Sequence, residues 1–260
     1  MELNRIVLIG AGNVATHLGK ALWQAGYNIV QVYSRTIESA KALADCLNAS
    51  YTTMLEDVCA DANLYIVALK DSALQDLLPL IVRGRESALF IHTAGSIPMD
   101  IWKGYIMHYG VFYPMQTFSK QREVDFENVP FFIEANGEKE MLALKRMARS
   151  LSPNVYEATT EQRKSLHLAA VFACNFTNHM YALCNHLLAK NGIPFEVMLP
   201  LIDETARKVH GLHPKDAQTG PAVRYDLNVI NRHLEMLKEE PEAQKIYEMI
   251  SKSIHRYDKL

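Results

Sequence analysis

Gly10-Ala11-Gly12-Asn13-Val14-Ala15 follows directly on the β-branched apolar run "RIVLIG" (Arg5–Gly10) and opens a stretch with a helical stripe at Val14, Leu18, Leu22 and Trp23. This is G-x-G-x-x-A between a strand and a helix, the spacing that cradles a pyrophosphate. The first glycine permits the tight turn. The second lets the backbone approach the phosphates, and the alanine lets helix pack on strand. The helix N-terminus, near Asn13 and Val14, offers free N–H groups and the positive end of its dipole. A second set of reactive side chains lies in "LHLAAVFACNFTNHM" (Leu166–Met180), an otherwise apolar helix that carries His167, Asn175, Asn178 and His179. At helical spacing His167, Val171, Asn175 and Asn178 share one broad stripe, with Ala170 and Cys174 beside it. Such polar groups either satisfy buried backbone or line a site. A histidine can hold or give a proton near neutral pH, and an asparagine can orient a substrate atom without changing charge.

The end of the second strand decides which dinucleotide the glycine loop takes. An NAD site, and likewise a methyl-donor site, wants a carboxylate there for the ribose hydroxyls. This chain reads Tyr33-Ser34-Arg35-Thr36, with no carboxylate before Glu38. Arg35 can pair with a 2′-phosphate and stack on adenine, while Ser34 and Thr36 can hydrogen-bond to it. The expected cofactor is therefore NADP. At the carboxyl end of a later strand, Ala68 and Leu69 should border the cofactor riboses, and Lys70 can reach phosphate. His92, at the end of the next strand, falls on the same rim.

The elements that must position these residues alternate strand and helix through the first half. Strands are expected at Arg5–Gly10, Asn28–Ser34, near Ala49–Thr52, at Asn63–Lys70 and at Ala88–Gly95, with weaker signals at Tyr105–Tyr109, Pro130–Glu134 and Asn154–Glu157. Helices follow the first, second and fourth of these, so the fold class is α/β, a doubly wound parallel sheet. Thr36 is expected to cap the second helix. "TTEQ" (Thr159–Gln162) has the spacing of a capping box, and beyond it no strand pattern occurs. The expected organisation is a dinucleotide-binding domain over 1–158 and a smaller all-helical domain over 159–260.

Composition narrows the rest. With 260 residues, 49% hydrophobic, the chain can build a sizeable core, and a formal charge of −2 offers no global basic surface for nucleic acid. No apolar run is long enough to suggest a membrane span. Cys46, Cys59, Cys174 and Cys184 have no metal spacing, and the two histidines of "HGLHP" (His210–Pro214) lack a matching third ligand, so no metal is expected. The first strand leaves no room for a signal peptide, which with reduced thiols points to the cytoplasm.

The series "GAGNVA…YSRT…VALKD" resembles the 6-phosphogluconate-dehydrogenase-like oxidoreductases, which include pyrroline-5-carboxylate reductase, prephenate dehydrogenase and deazaflavin-dependent NADP reductases. With "YPMQTFS" (Tyr113–Ser119), "HLAAVFACNF" (His167–Phe176), "TGPAVRYD" (Thr219–Asp226) and "HLEML" (His233–Leu237), the chain is similar to a bacterial NADP oxidoreductase family with a Rossmann-like N-terminal domain and a helical C-terminal domain of unknown function. Many relatives have histidine where Tyr113 stands, and "RGD" where this chain has Arg224-Tyr225-Asp226. The resemblance implies hydride transfer to or from a small carbonyl or imine, His167 as acid/base or donor, Asn175 as orienter, and a homodimer through the helical domain. It disfavours a hydroxyacid dehydrogenase, since the lysine expected four residues before Asn175 is Val171. Alternatives are a non-catalytic NADP-binding sensor or scaffold and a deazaflavin-dependent NADP reductase.

Overall fold

The computed structural model describes residues 3–257 and divides into two compact units, Met1–Asn175 and Phe176–Leu260. The first unit holds eight strands: β1 (Arg5–Ile9), β2 (Asn28–Tyr33), β3 (Ser50–Thr52), β4 (Leu64–Val67), β5 (Leu89–His92), β6 (His108–Pro114), β7 (Phe131–Ala135) and β8 (Val155–Glu157). They form one sheet in the order β3-β2-β1-β4-β5-β6-β7-β8. Every neighbouring pair is parallel except β6 and β7, which run antiparallel with Tyr113 opposite Phe132. The sheet is thus doubly wound, with one reversal near its far edge.

Helices cover both faces, so the central strands are apolar on both sides. On one face α1 (Asn13–Gln24), α2 (Ile37–Leu47) and α4 (Glu138–Arg149) pack Leu18, Leu43 and Leu144 against Leu8, Ile66 and Phe112. On the other, α3 (Asp71–Val82) and a 3₁₀ turn at Met99–Trp102 pack Leu78, Ile81 and Trp102 against Val7, Tyr65 and Phe90. β6 starts three residues later than the sequence signal suggested. Gly110 within it explains part of the weakness of that signal. A Cβ there would stand 2.5 Å from the Glu134 carbonyl, so the close approach of β7 excludes a strand-forming side chain.

α5 (Thr160–Ala170) begins with the expected capping box. Thr159 Oγ1 accepts from the Gln162 amide at 3.3 Å, and Gln162 Oε1 accepts from the Thr159 amide at 2.9 Å. Thr36 stands at the N-cap of α2, but its hydroxyl does not close that cap. The last strand ends at Glu157, as the strand-to-helix switch at 158 anticipates. The compact units nevertheless divide later, at Asn175, because α5 is fastened to the sheet. The fastening is Arg163, fully buried. Its Nη1 donates to the Gly95 and Ile97 carbonyls at 3.0 and 2.7 Å, and its Nη2 donates to Glu134 Oε2 at 2.8 Å. Glu134 also accepts from the Thr160 amide at 2.9 Å and from its hydroxyl.

After α5 the helix widens to a π turn at Val171–Phe176, and the chain passes into the second unit inside that turn. The second unit contains α6 (Thr177–Ala189), α7 (Leu199–Gly211), α8 (Pro214–Ala217), α9 (Pro221–Arg224), α10 (Leu227–Met236) and α11 (Pro241–Tyr257). It has no strand among the described residues. No helix is long and apolar enough to cross a membrane among them.

Removing Arg163 should leave the half-buried Glu134 without its cation and the Gly95 and Ile97 carbonyls short of a donor. Arg163→Ala is expected to cost about 3–5 kcal/mol of stability. Lys164→Ala, which breaks only the exposed pair with Glu161, should cost less than about 1 kcal/mol. Urea unfolding of the two variants reads the difference. Equal losses would show that the burial of Arg163 contributes nothing.

Candidate functional site

The glycine loop is built where β1, β2 and β4 end together. The Gly10 amide donates to the Tyr33 carbonyl at 2.8 Å, and the Ala68 amide donates to the Ile9 carbonyl at 2.8 Å. Gly10 has φ +115°, and a Cβ there would stand 2.4 Å from the Ala68 oxygen. Both the turn and the approach of β4 therefore demand glycine. Gly12 is different. It caps α1 with φ −78°, and a Cβ there would meet nothing within 4 Å. The open space in front of Gly12 is the room a phosphate needs. The Thr16 amide is the first helical donor with a backbone acceptor, the Gly12 carbonyl at 2.9 Å. The amides of Asn13, Val14 and Ala15, one residue to the next, lack helical acceptors and are available to an anion. Ala15 is buried against the sheet, as the third position of the motif requires.

The Asn13 side chain is already committed. Its amide donates to the Phe118 carbonyl at 2.8 Å, and His17 one turn later meets the Ser119 carbonyl through Nε2 at 2.9 Å while stacking on the Phe118 ring. Asn13 can therefore offer its backbone N–H to a dinucleotide, while its side chain ties the segment after β6 to α1. This tie was not legible in the sequence.

At the end of β2, the Ser34 amide donates to the Thr52 carbonyl at 3.2 Å and fixes the turn. Ser34 is half-buried. Arg35 and Thr36 are exposed, and Arg35 makes no hydrogen bond or ion pair among the described residues. Glu38 lies in the first turn of α2. Ala68 and Leu69 are half-buried at the end of β4, and Lys70 is exposed at the N-cap of α3. Next to them the Ser96 hydroxyl donates to the Asp71 carboxylate, joining the loops that leave β4 and β5.

A second cluster gathers around His167. Its Nδ1 lies 3.3 Å from the Tyr113 hydroxyl, with the two rings edge to face. Its imidazole packs on the backbone of Gly95, in the loop that leaves β5. Burial pushes the Tyr113 hydroxyl up from its ordinary value, and the nearby Arg163 charge pulls the other way. Tyr113, Gly95 and Arg163 were not anticipated as neighbours of His167. The recurrence of Arg163, His167 and Cys174 along one side of the helix was the signal that could have found them. Cys174 is half-buried on the same side of the helix. Asn175 lies in the π turn, is exposed, and makes no hydrogen bond among the described residues. Val171 and Cys174 are half-buried whereas Asn175 is exposed, so the stripe expected to run from His167 through Val171 to Asn175 carries Cys174 on its inner side instead.

His92 is fully buried. Its Nδ1 accepts from the Ala94 amide at 3.2 Å, and its ring stacks on Trp102. Burial, aided by the Arg163 charge, pulls it down to about 3, so it stays neutral and shapes the β5 loop. The four cysteines are free, and no group of three metal-ligating side chains occurs among the described residues.

The two glycines should respond differently. Gly12→Ala should leave unfolding within about 0.5 kcal/mol of the native protein, since its Cβ enters open space at an ordinary φ. It should nevertheless weaken dinucleotide binding by about tenfold or more, because that methyl occupies the phosphate approach. Calorimetric titration with unfolding curves separates the effects. Unaltered binding would remove Gly12 from the site.

Residues 5–95 match the family described as NADP oxidoreductase, coenzyme F420-dependent, and residues 129–254 match a domain of unknown function, DUF2520. No protein of curated function matches. Protein BF3122 from Bacteroides fragilis, whose description assigns it provisionally to the NADP oxidoreductases, is 64% identical over 97% of this chain and 98% of its own, with a TM-score of 0.95. Protein TM1727 from Thermotoga maritima is 20% identical over 98% of both chains, with a TM-score of 0.71. An imine reductase from Myxococcus stipitatus, solved with NADP+, shares the fold at 16% identity over 98% of this chain and 93% of its own, with a TM-score of 0.67. The chain therefore belongs to the family that joins an N-terminal Rossmann-like NADP oxidoreductase domain to a helical C-terminal DUF2520 domain.

Proposed function

We propose that the chain is an NADP(H)-dependent oxidoreductase that transfers hydride to or from a small carbonyl or imine. The observation that carries this reading is the glycine loop. Gly10 is held tightly against β4, Gly12 faces open space, and three helix-end amides await an anion. The residues present fit the cofactor. The amides of Asn13, Val14 and Ala15 would hold the pyrophosphate. Arg35, exposed and uncommitted, with Ser34 and Thr36 beside it, would hold a 2′-phosphate. Ala68 and Leu69 would border the riboses, and Lys70 would reach toward phosphate. The imine reductase and a pyrroline carboxylate reductase from Plasmodium falciparum, both solved with NADP, have the same fold and make such substrates reasonable.

The bound dinucleotide would supply or accept the hydride. The rest falls to the chain. His167 would place a donor at the substrate nitrogen or oxygen as negative charge develops there. Asn175, whose amide is uncommitted, would orient the same substrate. Arg163 is not available to a substrate carboxylate, since its Nη1 and Nη2 are occupied by carbonyls and Glu134. NADPH should bind native protein well ahead of NADH, and Arg35→Asp should cut that preference by about tenfold to a hundredfold, the loss of a charge-assisted hydrogen bond. NADPH oxidation against a panel of ketones, imines and deazaflavins then tests the chemistry. Tight NADPH binding with no turnover would favour the sensor reading, turnover with deazaflavins alone would favour the deazaflavin reductase, and equal affinity for NADH would sink the cofactor assignment.

The partner proposed for the second unit is a second copy of the chain, in a cytoplasmic homodimer. Taken by itself, that unit buries few large side chains, Ile230 and Leu237 among them, while Leu201, Val209, Met236 and Met249 stay exposed. Met180, Leu183, Leu188, Ile246, Ile250 and Ile254 line an apolar groove of about 560 Å³. Apolar surface on this scale marks an interface. Sedimentation at micromolar concentration should give twice the chain mass, and Ile250→Glu should shift the protein toward monomer. A native monomer would refute the pairing.

A further inference from the structure

Gly95 is not required by its own backbone, since it is absent from the residues with positive φ. It is required by His167. A Cβ at Gly95 would stand 2.7 Å from His167 Nδ1, 2.8 Å from its Cγ and 2.9 Å from its Cβ. The His167 Cβ is fixed by α5, so rotating the imidazole alone cannot relieve that contact. The helix in turn cannot retreat, because Arg163, one turn earlier, donates to the carbonyl of the same Gly95 at 3.0 Å. The absence of a side chain at Gly95 is thus what lets the imidazole lie against the β5 loop.

The other constraint on the ring is Tyr113, whose hydroxyl is 3.3 Å from Nδ1. A phenol is a stronger acid than a neutral imidazole N–H, and a bare imidazole nitrogen is a better acceptor than a phenol oxygen. The pair is therefore stronger with Tyr113 donating. Burial keeps the proton on Tyr113. With Nδ1 accepting, the ring hydrogen of neutral His167 must sit on Nε2. That nitrogen has no partner among the described residues, and it is absent from the buried unpaired atoms, so it is open to solvent.

We propose that Gly95 and Tyr113 are positioning residues that hold His167 as its Nε2–H tautomer and present Nε2 to the substrate. The presentation to substrate rests on the reading of His167 as the donor, but the tautomer does not. One wall of the pair makes room for the ring, and the other decides which nitrogen carries the hydrogen.

The test is ¹⁵N NMR of full-length protein labelled at histidine, above the imidazole titration range, with the His167 signals identified by their loss in His167→Gln. The native protein should show one tautomer, with Nε2 protonated and Nδ1 hydrogen-bonded. Tyr113→Phe should move the Nδ1 resonance toward that of a free acceptor, and Gly95→Ala should displace both nitrogens. Should Gly95→Ala fail to fold, Tyr113→Phe still decides. A protonated Nδ1 in the native protein, or an Nδ1 resonance indifferent to Tyr113→Phe, would overturn the proposal. NADPH titration of the same samples keeps the two readings apart: failure to bind defeats the oxidoreductase reading and leaves the tautomer result standing. With any substrate the panel reveals, Tyr113→Phe should lower kcat roughly tenfold with KM changed less than about twofold. An equal fall in NADPH affinity would instead mark a merely structural residue.

Discussion

Burying a guanidinium is expensive unless its N–H groups find acceptors, and Arg163 finds them for Nη1 and Nη2 on three elements, leaving its buried Nε without a partner among the described residues. The loop after β5 supplies carbonyls of Gly95 and Ile97, β7 supplies Glu134, and the first turn of α5 supplies the Thr160 hydroxyl. Because Glu134 lies on the sheet and the two carbonyls on the loop that leaves it, while the donor lies on the helix, the helix cannot slide or rotate without stranding a charge. The position of His167, one turn further on, follows. So does that of Gly95, whose carbonyl is held by the arginine and whose missing side chain receives the imidazole. A hydrophobic contact in the same place would tolerate shifts of an ångström or more, whereas a fork of N–H donors does not.

A second constraint joins the two clusters. β6 carries Tyr113 near its end, and the chain then runs through Met115 to Phe118 and Ser119, whose carbonyls are held by Asn13 and His17 on α1. The glycine loop and the strand that carries Tyr113 are thereby connected through five residues. Phe118 and Phe126 extend this link into the apolar layer under α1, where the rings stack. The glycine loop of a Rossmann unit is ordinarily described through β1, α1 and β4. Here the segment following β6 is part of its support, which gives a physical role to the "YPMQTFS" stretch.

Much of this was legible. The glycine loop could be read because its small residues answer separate steric demands: Gly10 takes a positive φ against the Ala68 carbonyl, Gly12 borders open space, and Ala15 is buried on the sheet. The central strands could be read because burial on both faces leaves unbroken apolar runs. The capping box at Thr159 is a local pattern that survives any tertiary context. Arg163 was illegible for a definite reason. In "TEQRKSLHLAA" it looks like one more solvated charge, and only its acceptors, on β7 and the β5 loop, make it buried. The signal for β6 was weakened by Gly110, whose lack of a side chain makes room for the neighbouring carbonyl of Glu134. The π turn was hidden because stripes are drawn on the assumption of a uniform helix, and nothing in "VFACNF" announces the extra residue.

The division of labour between the clusters explains why each is built differently. Binding a dinucleotide phosphate needs several weak, fixed donors and clearance for the ligand, so the glycine loop exposes backbone and removes side chains. Placing one donor nitrogen needs the opposite, a side chain with no freedom left. His167 obtains this from below by Arg163 holding the helix, from one side by the bare backbone of Gly95, and from the other by Tyr113. Each restraint on the imidazole acts through a contact that a single methyl or hydroxyl would change, and the glycine loop is as exacting, since a Cβ at Gly10 would strike the Ala68 carbonyl and one at Gly12 would fill the space left open there.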